Sequence, residues 1–191
     1  MGGRTGQGTG RRSGWYAVRA AVALLILAGL AAGGAADAKS AGLPVRAGQL
    51  EAYRAAQAVR TAETTRATVI RLVNRERAKA GCRPVRAHRT VTRAAQRHSD
   101  HMAREGALSH RERGGSGPGS RLSAVGYDWR RAGENIARGQ RGAAAVTRAW
   151  IRSPEHREVL ADCSFRHAGV GVNGGTGGRG PWWTLLLATP A

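Results

Sequence analysis

The chain is poor in lysine, in acid and in sulfur. Lysine occurs only at Lys39 and Lys79, and Asp and Glu together number 12 against 31 Lys and Arg, which leaves a formal net charge of +19. Arginine with so little lysine is the composition of a GC-rich genome, so part of this charge needs no function. What remains is either a solvated basic surface or attraction to an anionic partner such as a cell-wall polymer or a lipid head group. Nucleic acid is not expected, since zinc-finger spacing, RNA-binding motifs and basic helices interleaved with aromatics are all missing. No Gly-Lys-Ser/Thr follows a glycine-rich loop, so the glycine, serine and arginine of residues 111–120 are not a Walker P-loop. A hydrophobic content of 41% suits one core and is too low for a polytopic membrane protein.

Long apolar runs are also scarce, and the one present lies at the N-terminus. Arg4, Arg11, Arg12 and Arg19 precede an uncharged stretch at 20–36, whose densest part, 20–30, has the length of a signal h-region. Ala36-Asp37-Ala38 is an A-x-A-like cleavage site. Gly29, Gly33 and Gly34 and the short apolar core argue against an uncleaved anchor. Arg11-Arg12 raises a twin-arginine route, but Ser13 and Gly14 occupy the positions where an apolar residue is expected. Residues 1–38 are therefore expected to be a signal peptide, with no stable transmembrane anchor and a secreted, extracellular product. Residues 39–65 are expected to be a linker, partly helical and able to extend the next helix backward. Such a linker permits release or retention at the surface.

Residues 66–191 form the expected domain. Val69, Leu72, Val73 and Glu76 follow helical spacing, closed by Gly81 and Pro84. A second helix is expected from Thr90 as N-cap, burying Val91, Ala94, Ala95, His98 and Met102, and ending at Gly106. Short helices are expected at 120–125, 143–152 and after Pro154. Strands are expected at 165–172 and 182–188, joined by the glycine-rich loop 173–180. Helices first and strands later suggest an α+β fold.

Cys82 and Cys163 are the only cysteines, and neither has another cysteine at metal-ligand spacing. Behind an export signal a disulfide is the natural reading, with two buried free thiols as the alternative. Three polar clusters also stand out: Ser109-His110, Gly133-Glu134-Asn135 and Ser153-Pro154-Glu155-His156. Each is expected at an element boundary, where functional groups sit on loops held by a scaffold.

Six segments in order, LVNRERAKAGCRPV (72–85), AAQRHSDHMAREGALSH (94–110), SRLSAVGY (120–127), GENIARG (133–139), AWIRSPEHREVLADCSFRHAGVGV (149–172) and WWTLLLA (182–188), resemble the CAP superfamily in its bacterial SCP-like branch. The resemblance implies a three-layer α-β-α sandwich around a small antiparallel sheet, with a cleft holding two histidines and two acidic residues. His110 and His156 match the histidines and Glu134 the first glutamate. The second glutamate is missing after Trp150, and Glu155 stands where the family has glycine. His110, His156 and Glu134 are then candidate ligands for Zn²⁺ or another divalent metal, and Glu134 is alternatively an orienting group behind a histidine. Ser109, Asn135, Ser153 and Glu155 are expected to line the cleft. The leading expectation is a monomeric, non-catalytic binding module for an anionic surface component, a lipid or a protein. The alternative is a metal-assisted hydrolase using His110, Glu134 and His156. His98 is expected in the core, His101 to share its helix face, and His88 and His167 at surface or strand-end positions. Trp129, Trp150, Trp182 and Trp183 are expected as core and cleft lining, with one of the adjacent pair Trp182 and Trp183 more exposed.

Overall fold

A computed structural model of the chain describes residues 47–112 and 114–191. The expected signal peptide and the start of the linker lie outside the described residues. The elements in order are α1 (Ala47–Lys79), β1 (Arg86–Ala87), α2 (Arg89–Glu105), α3 (Pro118–Ser123), β2 (Trp129–Arg138), α4 (Ala143–Arg152), α5 (Pro154–Ala161), β3 (His167–Asn173) and β4 (Trp182–Pro190). The sheet order is β1-β3-β4-β2. Its three longer strands are antiparallel, and the two-residue β1 joins β3 in parallel.

Strand β4 explains the layering. Successive side chains on a strand point to opposite faces. Trp183, Leu185 and Leu187 pack with Val69 and Val73 of α1, Trp150 of α4 and Leu160 of α5. Leu186 and Ala188 pack with Val91, Ala94 and Ala95 of α2, and with Leu122 of α3. One dense apolar run thus serves two cores, which is why all its residues from Trp182 to Ala188 are buried. Both tryptophans of the pair are buried (Trp182 0%, Trp183 2%), so neither is the exposed one that the sequence suggested, whereas Trp129 is 37% exposed and not core. Strand β3 alternates in the same register, with Ala168 and Val170 facing the α1 side. Gly169 and Gly171 face α2, where any Cβ would collide with the main chain at Val91–Thr92 and at Ala95.

Three local expectations change. The buried face of α1 is Val69, Ile70, Val73 and Arg77, while Leu72 and Glu76 are only half-buried. Arg77 is buried because its guanidinium donates to the carbonyl of Arg83 in the loop after α1 and to those of Leu160, Asp162 and Phe165, main-chain acceptors at the end of α5 and the approach to β3. The helix α2 begins one residue before Thr90, with His88 in the N-cap position and no side-chain capping bond. Strand β2 was not expected, because it has no apolar alternation. Ala132, Glu134 and Ile136 share one face, and Gly133, Asn135 and Ala137 the other. The helix α1 also runs back to Ala47, so residues 47–65 are helical, and 47–61 are all exposed.

Cys82 and Cys163 form a disulfide that closes a separation of 81 residues. No described helix is long and apolar enough to cross a membrane.

Candidate functional site

Within the sheet β2 pairs with β4 alone, and its other side is the sheet edge. The register puts Glu134 opposite Leu186, on the α2 and α3 face, and Asn135 opposite Leu185, on the α4 and α5 face. The cluster Gly133-Glu134-Asn135 therefore lies within a strand and not at an element boundary. A strand lets adjacent residues serve the two helical layers at once. Gly133 is bare because a Cβ there would sit 2.6 Å from the Phe165 ring.

On the α2 side, Glu134 is nearly buried and both its oxygens are engaged. Its Oε1 lies 2.8 Å from His110 Nδ1, and its Oε2 accepts an ion-paired bond from Arg121 Nη2. An ionised carboxylate can only accept. His110 must therefore carry its proton on Nδ1, which leaves Nε2 as the free nitrogen of a half-exposed ring. Arg121 also donates through Nη1 to the carbonyls of His110 and Ser116, both at 3.1 Å. It fixes the loop that carries His110 as well as the carboxylate that orients it.

His98 secures the same loop from beneath. Its side chain is fully buried, with Nδ1 2.8 Å from Glu112 Oε1 and Nε2 3.0 Å from the Ser109 carbonyl. It is the core histidine that the sequence suggested, with both nitrogens partnered. Burial pushes its pKa down, against the pull of Glu134 and Glu112. His101 stacks near it, with ring centroids 6.3 Å apart.

On the other side, Asn135 Nδ2 donates to the His156 carbonyl at 3.0 Å, which ties the first turn of α5 to β2. The His156 imidazole is held below its ordinary pKa, first by burial and then by electrostatic repulsion from His110, with exposed Glu155 pulling the other way. His110 therefore engages β2 through Glu134, and the main chain at His156 engages it through the adjacent Asn135. Ser109 is turned aside: its hydroxyl donates to the Arg111 carbonyl at 2.9 Å and accepts from the Arg111 N–H. Ser153 occupies the cap position between α4 and α5 and makes no side-chain capping bond there.

The sequence reading missed Arg121 and Glu112. The one signal for Arg121 was a charge beside Leu122 in a short helix with an apolar face, and Glu112 gave none. Chemically, the arrangement presents an imidazole nitrogen backed by a buried carboxylate, the usual support of a metal-binding histidine. No group of three or more His, Cys, Asp or Glu among the described residues is arranged to hold a metal ion.

Comparison with known proteins places these features in context. A family model described as the cysteine-rich secretory protein family, CAP, matches residues 70–187. The Bacillus subtilis (strain 168) uncharacterized protein YkwD is 33% identical over 103 residues, which are 54% of this chain and 40% of that protein. The uncharacterized membrane protein YlbC of the same organism is 29% identical over 110 residues, 58% of this chain and 32% of that protein. The chain thus matches well under half the length of either relative. Among solved structures, an extracellular protein containing a SCP domain from Bacillus anthracis (strain Ames) superposes with a TM-score of 0.61 at 24% identity, covering 66% of this chain and 41% of that one. An outer surface protein from Borrelia burgdorferi gives 0.57 at 18% identity, covering 62% and 87% respectively. At these identities the likeness is one of fold.

Proposed function

Because the chain belongs to the CAP family of cysteine-rich secretory proteins, we propose that it is an extracellular binding module whose working surface is the cleft around the edge of β2. The observation that carries this reading is the Arg121–Glu134–His110 chain, which engages Nδ1 of a half-exposed His110 and fixes one tautomer. A half-exposed imidazole held that rigidly is suited to a ligand or a metal. His110 and His156 would hold a divalent ion such as Zn²⁺, whose role would be to bridge the cleft to a bound group. Two protein donors imply modest affinity. Export is supported by the N-terminal signal features, by the disulfide and by the description of the Bacillus anthracis relative as extracellular. The partner would be an anionic surface component, a lipid or a protein.

The test is a Zn²⁺ titration of the chain, followed by the ring nitrogen signals of the histidines in NMR. Saturable shifts at His110 and His156, lost in His110→Ala and His156→Ala, are expected. Shifts confined to other histidines would overturn the metal reading. Turnover of a peptide, ester or glycan substrate that His156→Ala abolishes would favour the hydrolase instead.

A further inference from the structure

A cavity of about 400 Å³ lies on the α2 and α3 face of the sheet. Neither His110 nor His156 lines it, although Arg121 and Glu112, which support the His110 loop, do. One wall is a stripe of α2 in which Arg97, His101 and Arg104 recur at helical spacing. The facing wall includes Arg121, and Ala94 and Val125 add apolar surface. The volume falls within the usual range for small-molecule sites, roughly 300–1,000 Å³.

Three guanidinium groups face this space against the carboxylates of Asp100 and Glu112. Both carboxylates already have partners. Asp100 Oδ1 accepts from the Gln96 and Asn173 side-chain amides at 2.9 and 2.8 Å, and Glu112 is held by His98. Among the described residues, no ion pair or hydrogen bond engages the side chains of Arg97 and Arg104, although both are exposed and border the cavity. Arg121 adds a further deficit: its Nε–H is buried without a hydrogen-bond partner, 3.9 Å from Glu112 Oε1. A buried donor left without an acceptor is unfavourable. An anion would meet all three groups with charge-assisted bonds, and the +19 chain would draw it in.

We propose that this cavity is a binding site for a small anion, a carboxylate or phosphate on a short apolar stem, held by Arg97, Arg104 and Arg121. The site shares Arg121 with the support of His110 but does not require a ligand or metal at the cleft, because Arg97 and Arg104 belong to the cavity alone.

The test titrates the full chain with inorganic phosphate and, separately, with butyrate, at constant ionic strength, following amide and arginine side-chain NMR signals. Saturable shifts are expected in residues 97–104 and at Arg121 Nε, with the better probe identifying the anionic group. The double variant Arg97→Ala/Arg104→Ala should lose affinity at least about tenfold, the loss expected of one to two charge-assisted bonds. Arg148→Ala, on an exposed face of α4, should change nothing. Shifts that spread over the arginine surface without saturating would leave an adventitious ion only, and would overturn the site. So would an equal loss in Arg148→Ala, or the absence of any shift with either probe. Because Zn²⁺ binding is read at His110 and His156, failure here and failure of the cleft reading remain distinguishable.

Discussion

Glu134 is the residue on which the cleft depends, because one buried carboxylate both orients His110 and neutralises Arg121. Glu134→Ala leaves the buried Arg121 charge with only the long 3.9 Å contact to Glu112, and breaking such a buried pair costs about 3–5 kcal/mol, to be read as a drop in unfolding free energy in urea. Glu134→Gln keeps the shape and part of the bonding. It should cost less stability, while weakening Zn²⁺ binding about 10–100-fold as the loss of a group behind a metal-binding histidine does, measured by calorimetric titration. A second residue-scale prediction concerns acid. His167 stacks on His88 with centroids 4.6 Å apart, and its Nδ1 lies 2.7 Å from the Tyr127 hydroxyl. Its pKa is held down by burial first, then by His88 and Arg86; His98 and His156 are shifted in the same direction. The unfolded chain takes up these protons near pH ~6.5, where the folded chain still refuses them. Stability is therefore full above that value and falls as the pH drops through it toward the depressed values. The urea midpoint should decline from pH 7 to pH 5, and His167→Asn should flatten part of that slope. A pH-independent midpoint would contradict the assignment.

Among the elements, the closest fit is between α2 and β3, where glycines replace side chains. Gly171→Ala drives a methyl group into the main chain at Ala95. Overpacking of this kind costs about 1–3 kcal/mol and occasionally more, expected as a lowered Tm with α2 displaced from the sheet. The first half of α1 behaves in the opposite way. Residues 47–61 are exposed, Leu50, Tyr53 and Val59 among them. Helices without tertiary packing are marginal in water. In native-state hydrogen exchange, amides at 49–61 should exchange far faster than those at 69–77, which lie over the core. Equal protection across α1 would mean that another surface covers its first half.

For the molecule as a whole, the disulfide spans the end of α1 and the approach to β3, and Arg77 joins the same two regions by hydrogen bonds. Closing 81 residues constrains the unfolded chain by about 4.5 kcal/mol on the chain-entropy account. Reduction should lower the guanidinium midpoint accordingly. A midpoint unchanged by reductant would show that Arg77 and the cores alone hold these segments together. The two cores share a single sheet, so unfolding should be one cooperative transition except for the exposed half of α1.

The sequence by itself determined what is local and what is strongly periodic. The helix Ala143–Arg152 and the start of the next at Pro154 are where propensity and proline chemistry put them. The dense run of β4 marks a buried strand, and the order of six motifs carries the family. Residue type also singled out His110, Glu134 and His156. Only the tertiary structure decided which partners each takes, Glu134 joining His110 and the His156 carbonyl joining Asn135. Strand β2 has no alternation to reveal it, since it is a sheet edge with small and polar residues on both faces. Arg77 is a charge whose burial depends on acceptors far along the chain, and Arg121 pairs with Glu134 across a helix, a turn and a strand that no single periodicity links. The cleft is likewise a product of pairing: β2 docks on β4, and only then do the loop after α2 and the first turn of α5 approach from opposite faces of one strand.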